Sequence, residues 1–146
     1  MNPNDPQLIS DLRRDEAVRY VPYKDTVGID TVGVGHNMKA HPLPAEWNFP
    51  LTDEQVNQLL SEDLVRVFSG LDANLGWWRT LSENRQRVLA NMAFNLGMQG
   101  LLGFHNTLQF IQDGAYEDAA KGMLSSKWAK QVGQRANRLA DMMVQG

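Results

Sequence analysis

Residues 16–36 read EAVRYVPYKDTVGIDTVGVGH, and the character of the chain changes within this stretch. From Tyr20 to Val34 the residues are typical of β-strands, interrupted by the glycine-containing connection KDTVG at 24–28. This pattern predicts a β-hairpin and leaves enough residues for a short third strand. Gly33 and Gly35 carry no side chains, so a ligand or another backbone segment can approach closely beside the hairpin.

A helix is predicted directly before the hairpin, at about 6–16. Asp5 precedes Pro6, which is a favourable first residue of a helix. Glu16 follows Leu12 by four residues and therefore shares the apolar side of this helix. Partial burial and the helix C-terminus both disfavour a charged carboxylate there, which suits a general acid. The alternative is that the helix stops one residue earlier and Glu16 is a solvent-exposed terminal charge.

Beyond the hairpin the sequence predicts one extended loop and then mainly helices. The loop covers 36–50 and contains three prolines. Thr52 and Gln55 form a capping-box pattern that begins a helix of about 20 residues, roughly 30 Å long. A second capped helix is predicted to begin near Ser82 and to end at Gly97. Shorter helices are predicted near 106–113, 116–124, 126–130 and 133–144.

These elements predict an α+β fold that is predominantly helical. We expect a single domain over 1–146, with a small lobe at about 1–55 that contains the hairpin. A helix over about 53–74 should connect it to a helical lobe at 75–146, with a substrate cleft between the lobes.

Composition and charge exclude several classes of protein. The 146 residues include no cysteine, which excludes disulfides, thiolate metal sites and a cysteine nucleophile. Net charge is −6 over residues 1–75 and +3 over residues 76–146, and no run has more than two adjacent basic residues, so a nucleic-acid partner is not expected. The first twenty residues match neither a secretory signal nor a membrane span. Synthesis in the cytosol without stable membrane association is therefore expected.

The three histidines do not follow a metal-binding motif. His36, His41 and His105 occur without an HExxH pattern, and GxGxxG fails after Gly35. We expect no metal and no cofactor, and we expect His36 to be a structural hydrogen-bonding residue.

Glu16, Asp25 and Thr31 form the candidate catalytic set. Separately they are unremarkable, because Asp commonly stabilises turns and Thr is common in strands. A short hairpin that folds back on its helix would bring all three together. Two carboxyl groups that flank a scissile bond are the arrangement that glycoside hydrolysis requires.

The spacing Glu, eight residues, Asp, five residues, Thr, followed by GxGH, resembles the signature of the phage T4-type lysozymes. Similarity continues at 91–97, 103–108, Trp128 and 134–138. The resemblance implies a lysozyme-like two-lobed fold and a muramidase that cleaves the β-1,4 bond between N-acetylmuramic acid and N-acetylglucosamine in peptidoglycan. It further implies inversion at the anomeric carbon and a role as a phage endolysin in host lysis.

The resemblance also assigns residue roles. Glu16 takes the place of the general acid, while Asp25 and Thr31 take the places that position and activate water. Substrate contacts fall on Asn37, Phe94 and Thr107.

Supporting roles and two departures follow from the same resemblance. Arg135 and Arg138 match arginines that pair with the acids of the first helix, here Glu16 and Asp15, and such a cation favours the charged form of the acid. Gly122 falls where relatives carry an asparagine, so one sugar or peptide contact is expected to be missing. Arg79 falls near a family aspartate that pairs with the GxGH histidine, so His36 is expected to lack that partner.

The expected partner is peptidoglycan, bound by a monomer that reaches the wall through a phage holin. A lytic transglycosylase is the first alternative, although it needs only a single acid, and Asp25 and Thr31 argue against it. A catalytically silent wall-binding module is the second alternative, and the complete catalytic set argues against that.

Overall fold

The computed structural model describes residues 1–146 and contains seven α-helices, one three-stranded antiparallel sheet and a short 3-10 helix at Trp78–Thr80. The predicted fold class, α+β and predominantly helical, is confirmed. None of the helices combines the length and the apolar character needed to cross a membrane. The helices are α1 (Pro6–Glu16), α2 (Asp53–Asn74), α3 (Glu83–Leu102), α4 (His105–Gln112), α5 (Tyr116–Leu124), α6 (Lys127–Val132) and α7 (Gln134–Gln145). The strands are β1 (Arg19–Lys24), β2 (Asp30–Gly33) and β3 (His36–Asn37).

The predicted hairpin is formed by β1 and β2, which pair antiparallel with Tyr23 opposite Thr31. The turn between the strands includes Gly28 at a φ of 86°, a conformation in which glycine avoids the steric cost of a Cβ. The third strand is present as β3, whose His36 lies opposite Val32 of β2. The sheet therefore follows chain order, β1-β2-β3.

Helix α1 begins and ends where the sequence predicts. The Asp5 carboxylate caps its first turn by accepting a hydrogen bond of 2.9 Å from the Leu8 N–H. Leu8 and Leu12 are fully buried, so one side of the helix is anchored in the core. Because α1 ends at Glu16, the side of the helix that carries Leu12 finishes in a carboxyl group.

Helix α2 carries the predicted capping box. The Thr52 hydroxyl accepts from the Gln55 N–H at 3.1 Å, and the Gln55 side chain accepts from the Thr52 N–H at 3.0 Å. Behind this cap, a stripe of buried side chains follows helical spacing along one face. It comprises Val56, Leu59, Leu60, Leu64, Phe68 and Leu71.

The chain divides into two compact units, Asn2–Arg66 and Val67–Gly146, the second of which also includes Met1. The first unit contains α1, the sheet and α2 as far as Arg66. The second contains the rest of α2 and the later helices, with α5 packed on α4 and on α7. The largest fully buried side chains of the second unit include Trp78, Leu89, Met92, Met123 and Met143.

The helical segment that begins after Ser82 stops at Gly97, as predicted, because the backbone leaves the helical region at that residue. Ser82 caps α3 as expected by accepting from the Arg85 N–H, and a second, short helical segment that the sequence did not predict follows Gly97 and completes α3 to Leu102. Gly97 has a φ of 73° and a ψ of 164°, which breaks the helical path for one residue only. The signal at Gly97 is therefore local, whereas the residues after it return to helix.

We expect Thr52→Ala to lower the free energy of unfolding by about 1 kcal/mol, because the Gln55 N–H loses its cap acceptor. Chemical denaturation of the variant and the wild type measures the difference. Ser69→Ala, on the exposed side of the same helix, serves as the control and should change stability by less than about 0.5 kcal/mol. Equal stability of Thr52→Ala and wild type would show that the capping box does not stabilise α2.

Candidate active site

Glu16 is the last residue of α1 and is partly buried, with its Oε1 atom out of contact with solvent. The fully buried Leu12 lies one turn earlier on the same side of the helix. The alternative that α1 stops before Glu16 and leaves a fully exposed charge is therefore wrong. A carboxyl group that is partly withdrawn from water can hold a proton in a defined direction, as a general acid requires.

Asp25 forms the turn of the hairpin with only one of its carboxylate oxygens. Its Oδ1 accepts two hydrogen bonds, from the Val27 N–H and the Ile29 N–H, each at 2.9 Å. The backbone adds a bond of 3.0 Å from the Asp25 N–H to the Ile29 carbonyl. Since both turn bonds end on Oδ1, Oδ2 takes no part in forming the turn. Asp25 is thus a turn former that keeps an acceptor oxygen for another partner.

Thr31 lies on β2 and is 4% exposed. Its hydroxyl donates to the Ile29 carbonyl at 2.9 Å. Because the hydroxyl proton is used in that bond, Oγ1 presents lone pairs to any additional partner and acts as an acceptor. Asp25 and Thr31 both bond to the backbone of Ile29, so the structure brings these two predicted residues together.

The pKa of the Tyr23 phenol responds to the charges of both Glu16 and Asp25. Burial is the largest cause that raises the pKa of the Tyr23 phenol, and the negative charges of Glu16 and Asp25 raise it further. Arg19 opposes them, with its guanidinium carbon 4.8 Å from the centre of the tyrosine ring. Both carboxylates therefore lie close enough to the Tyr23 phenol to influence its ionisation. The sequence did not suggest that Tyr23 lies near these two residues.

The expectation that His36 lacks an acidic partner is wrong. His36 is 2% exposed, its Nδ1 donates to Asp63 Oδ2 at 2.9 Å, and its Nε2 donates to the His41 carbonyl at 2.8 Å. A carboxylate and a carbonyl can only accept, so both ring nitrogens carry protons. Arg79 instead pairs with Asp72 at 2.7 Å.

The protonation of His36 reflects a balance of opposing causes. Burial is the largest influence and would lower the pKa of His36, but the hydrogen bond and charge of Asp63, with the His41 carbonyl, outweigh it and raise the pKa. Arg66, which also pairs with Asp63, lowers the pKa by a smaller amount. His36 is therefore a buried structural residue beside the hairpin, with both ring nitrogens bonded and its charged form favoured by Asp63.

Asp63 was missed although the sequence contains a signal for it. It lies three residues after Leu60 and seven after Val56, so it shares the buried stripe of α2. A carboxylate on an apolar helix face is the same signal that identified Glu16. The sequence does not show which basic residue such a carboxylate would meet.

The other predicted site residues fall in both units. Asn37, on β3, uses its Oδ1 to accept from the backbone N–H groups of Lys39 and Ala40, at 3.0 and 2.9 Å. In the unit Val67–Gly146, Phe94 is half-buried on α3. The buried Arg135 of α7 donates from Nε to Asn91 at 2.9 Å, and the neighbouring predicted residue, Arg138, is exposed.

Thr107 is buried and lines a cavity of about 360 Å³ together with Phe104, Asn106, Gly122 and Ser125. A Cβ at position 122 would lie 2.5 Å from the Thr107 hydroxyl oxygen, closer than atoms can approach without movement. Gly122 therefore keeps the space in front of the Thr107 hydroxyl open.

The histidines do not gather into a metal-binding cluster. The rings of His36 and His41 lie 6.2 Å apart, and both nitrogens of His36 are already used. Nowhere in the chain do three His, Asp or Glu side chains come together in a way that could hold a metal ion.

Comparison with known proteins gives consistent similarities. The family model described as phage lysozyme matches residues 13–142. The chain is 26% identical to the probable T4-type lysozyme 1 of Dictyostelium discoideum, over 92% of each protein. It is 31% identical to the endolysin of Salmonella phage P22, over 83% of this chain and 81% of that one. It is also 27% identical to the pre-baseplate central spike protein of Enterobacteria phage T4, over 99% of this chain but only 28% of that longer protein.

We expect Asp63→Asn to destabilise the protein in a pH-dependent way. Because the folded-state pKa of His36 lies above its ordinary value of 6.5, the attraction between charged His36 and Asp63 is fully present below pH 6.5. That stabilisation is lost as pH rises through the folded-state pKa. The wild type should therefore exceed the variant most in unfolding free energy near pH 6, and the gap should narrow at alkaline pH.

Asp72→Asn is the matched control, since Asp72 lies on the same helix and pairs with Arg79, which does not titrate in this range. Its effect on the unfolding free energy should stay constant between about pH 6 and pH 9. If the difference in unfolding free energy between wild type and Asp63→Asn were equally constant over this pH range, the charged His36–Asp63 pair would be contradicted.

Proposed function

The chain belongs to the phage lysozyme family of glycoside hydrolases, and on that premise we propose that it cleaves the β-1,4 bond between N-acetylmuramic acid and N-acetylglucosamine in peptidoglycan. One observation carries this proposal. Asp25 and Thr31 are both fixed to the backbone of Ile29, and each keeps an acceptor oxygen available. Such a pair can hold a water molecule. Hydrolysis needs a positioned water molecule, whereas a module that only binds the wall does not.

We assign Glu16 as the general acid. In its protonated form it donates to the glycosidic oxygen as the bond between that oxygen and the anomeric carbon breaks. The buried Leu12 and the core side of α1 support the Glu16 backbone, so the carboxyl group stands on a rigid element.

We assign Asp25 and Thr31 to the water. Asp25 Oδ2 and Thr31 Oγ1 both accept its protons, which directs a lone pair of the water oxygen towards the anomeric carbon. As the new carbon–oxygen bond forms, Asp25 takes the proton that the water releases, and Glu16 has already given its own to the leaving sugar. The water attacks the face opposite the leaving group, so the product is inverted.

The remaining assignments concern substrate binding and support. Asn37 offers its side-chain nitrogen, because its Oδ1 is held by the turn. Phe94 offers an aromatic surface and Thr107 a hydroxyl group that faces an open cavity. His36 supports the unit that carries the catalytic set through its bonds to Asp63 and to the His41 carbonyl, and Arg135 is bonded to Asn91 within the other unit.

We further propose that the protein works as a monomeric endolysin over the single domain 1–146. It would be made in the host cytoplasm and would reach the wall through a holin. The similarity to the endolysin of Salmonella phage P22, which covers 83% of this chain, supports the endolysin role.

Glu16→Gln is expected to lower peptidoglycan cleavage by roughly 100- to 10,000-fold, because glutamine cannot donate the proton. Folding should be retained, since the two side chains have similar size and Glu16 is only partly buried. Loss of turbidity of purified sacculi measures the rate, and circular dichroism checks the fold.

Mass spectrometry of the wild-type products distinguishes the proposed reaction from its alternatives. Hydrolysis leaves reducing N-acetylmuramic acid ends, whereas a transglycosylase would leave anhydro ends. Binding of sacculi without any cleavage by the wild type would favour the silent wall-binding module.

Asp25→Asn is expected to reduce the rate about 100-fold or more while leaving the hairpin intact. Asparagine keeps an oxygen that can accept both turn bonds, but it replaces Oδ2 with an amide nitrogen that cannot accept the water proton.

Asp30→Asn is the control, because it removes a charge from the same hairpin at an exposed pair with Lys24. It should leave the rate within about twofold of wild type. If Asp25→Asn were as active as Asp30→Asn, Asp25 would be a turn former only.

A further inference from the structure

We propose that the Tyr23 hydroxyl contacts the substrate directly, by donating a hydrogen bond to an oxygen of the sugar whose glycosidic bond is cleaved. This inference rests on the proposed roles of Glu16, Asp25 and Thr31. Those three side chains supply one acid and two acceptors, and Tyr23 adds a neutral donor to them.

The pairing of the strands places Tyr23 beside Thr31. Tyr23 lies on β1 directly opposite Thr31 of β2. Directly opposed residues of an antiparallel pair carry their side chains on the same face of the sheet, with Cβ atoms roughly 5 Å apart. Asp25 follows two residues later, at the start of the turn that joins the two strands. Tyr23 is therefore next to both members of the pair that is proposed to hold the water.

Both proposed catalytic carboxyl groups act on the Tyr23 phenol. Burial raises the pKa of this phenol above its ordinary value of 10.0, and the negative charges of Glu16 and Asp25 raise it further, against the positive charge of Arg19. The hydroxyl is thus protonated near neutral pH and can donate. Because Glu16 and Asp25 are proposed to act on opposite sides of one sugar, a group that both charges reach lies beside that sugar.

One face of the Tyr23 ring is already covered. The Arg19 guanidinium carbon lies 4.8 Å from the ring centre, within the range of a cation–π contact. Arg19 occupies a surface on which a sugar would otherwise stack, and it restrains the orientation of the ring. The group that Tyr23 can offer to a substrate is therefore its hydroxyl.

The Tyr23 hydroxyl has no partner within the protein. A half-buried tyrosine usually finds one, as Tyr20 does by donating to Asp53 at 2.6 Å, whereas the Tyr23 hydroxyl makes no such bond. It is also absent from the buried polar atoms that lack a partner, so it is accessible from solvent. An accessible donor without a partner, beside the proposed water site, is available to a bound sugar.

The first test compares wild type and Tyr23→Phe in the release of reducing ends from soluble, uncrosslinked peptidoglycan strands. Phenylalanine keeps the ring, its contact with Arg19 and its place beside Thr31, and removes only the hydroxyl. We expect kcat/KM to fall roughly 3- to 10-fold, as for the loss of one hydrogen bond between neutral groups, with a melting temperature within about 2 °C of wild type.

Tyr116→Phe is the matched control. Tyr116 begins α5 in the unit Val67–Gly146 and also carries an arginine on its ring, with the Arg85 guanidinium carbon 3.3 Å from the ring centre. The same change there should leave kcat/KM within about twofold of wild type. If the Tyr23 hydroxyl had a purely structural role, Tyr23→Phe would change the melting temperature and leave kcat/KM unchanged.

A second test detects the contact without measuring a rate. The Glu16→Gln protein, labelled with carbon-13 at the phenol carbon of its three tyrosines, is mixed with the same strands and observed by NMR. The Phe variants assign the signals. We expect the Tyr23 signal to shift when the strands are added and the Tyr116 signal to stay in place.

The proposal is overturned if Tyr23→Phe keeps the wild-type kcat/KM, if Tyr116→Phe loses as much, or if the strands leave the Tyr23 signal unchanged. Failure of the proposed function has a different signature, since Glu16→Gln would then cleave at the wild-type rate. Measuring the rate of Glu16→Gln in the same series therefore separates the two failures.

Discussion

The pair of hydrogen bonds that Asp25 and Thr31 make to the backbone of Ile29 is the constraint on which the site depends. Asp25 accepts the Ile29 N–H, and Thr31 donates to the Ile29 carbonyl, so one peptide segment sets the positions of both side chains. The same bonds decide which oxygen atoms remain available. Turn formation and water activation are therefore compatible roles for Asp25, because the two roles use different oxygens of one carboxylate.

Most helix boundaries were predictable because their signals are local. Asp5 and Thr52 cap helices through contacts within three residues, and both caps are present. Glu16 was identified in the same way, from its spacing to Leu12. The signal at Gly97 was also local, and it marks the end of the first helical segment of α3, although the short segment that follows it to Leu102 was not predicted.

The site was predictable only in part, because several of its contacts join distant segments. The partner of His36 is Asp63, on a helix whose facing neighbours the sequence does not specify, and Arg79 was the wrong place to look for it. The hydrogen bonds from Arg13 and Tyr20 to Asp53 join residues from α1, β1 and α2, and no spacing rule predicts that two donors share one oxygen. The sequence identified which residues lie on which face of a helix or strand. Which residues pair with one another became clear only from the folded structure.

Ala17 and Gly122 differ in how the presence or absence of a Cβ fits the structure around it. At position 122 there is no Cβ, and the space is needed because a Cβ would lie 2.5 Å from the Thr107 hydroxyl oxygen. At position 17 a Cβ is present although the backbone conformation favours glycine and the methyl group is exposed. Space explains the first choice, but neither space nor packing explains the second. The steric cost of that Cβ falls on the residue directly after Glu16, where hydrogen bonds from Arg13 and Tyr20 to Asp53 hold the chain on both sides.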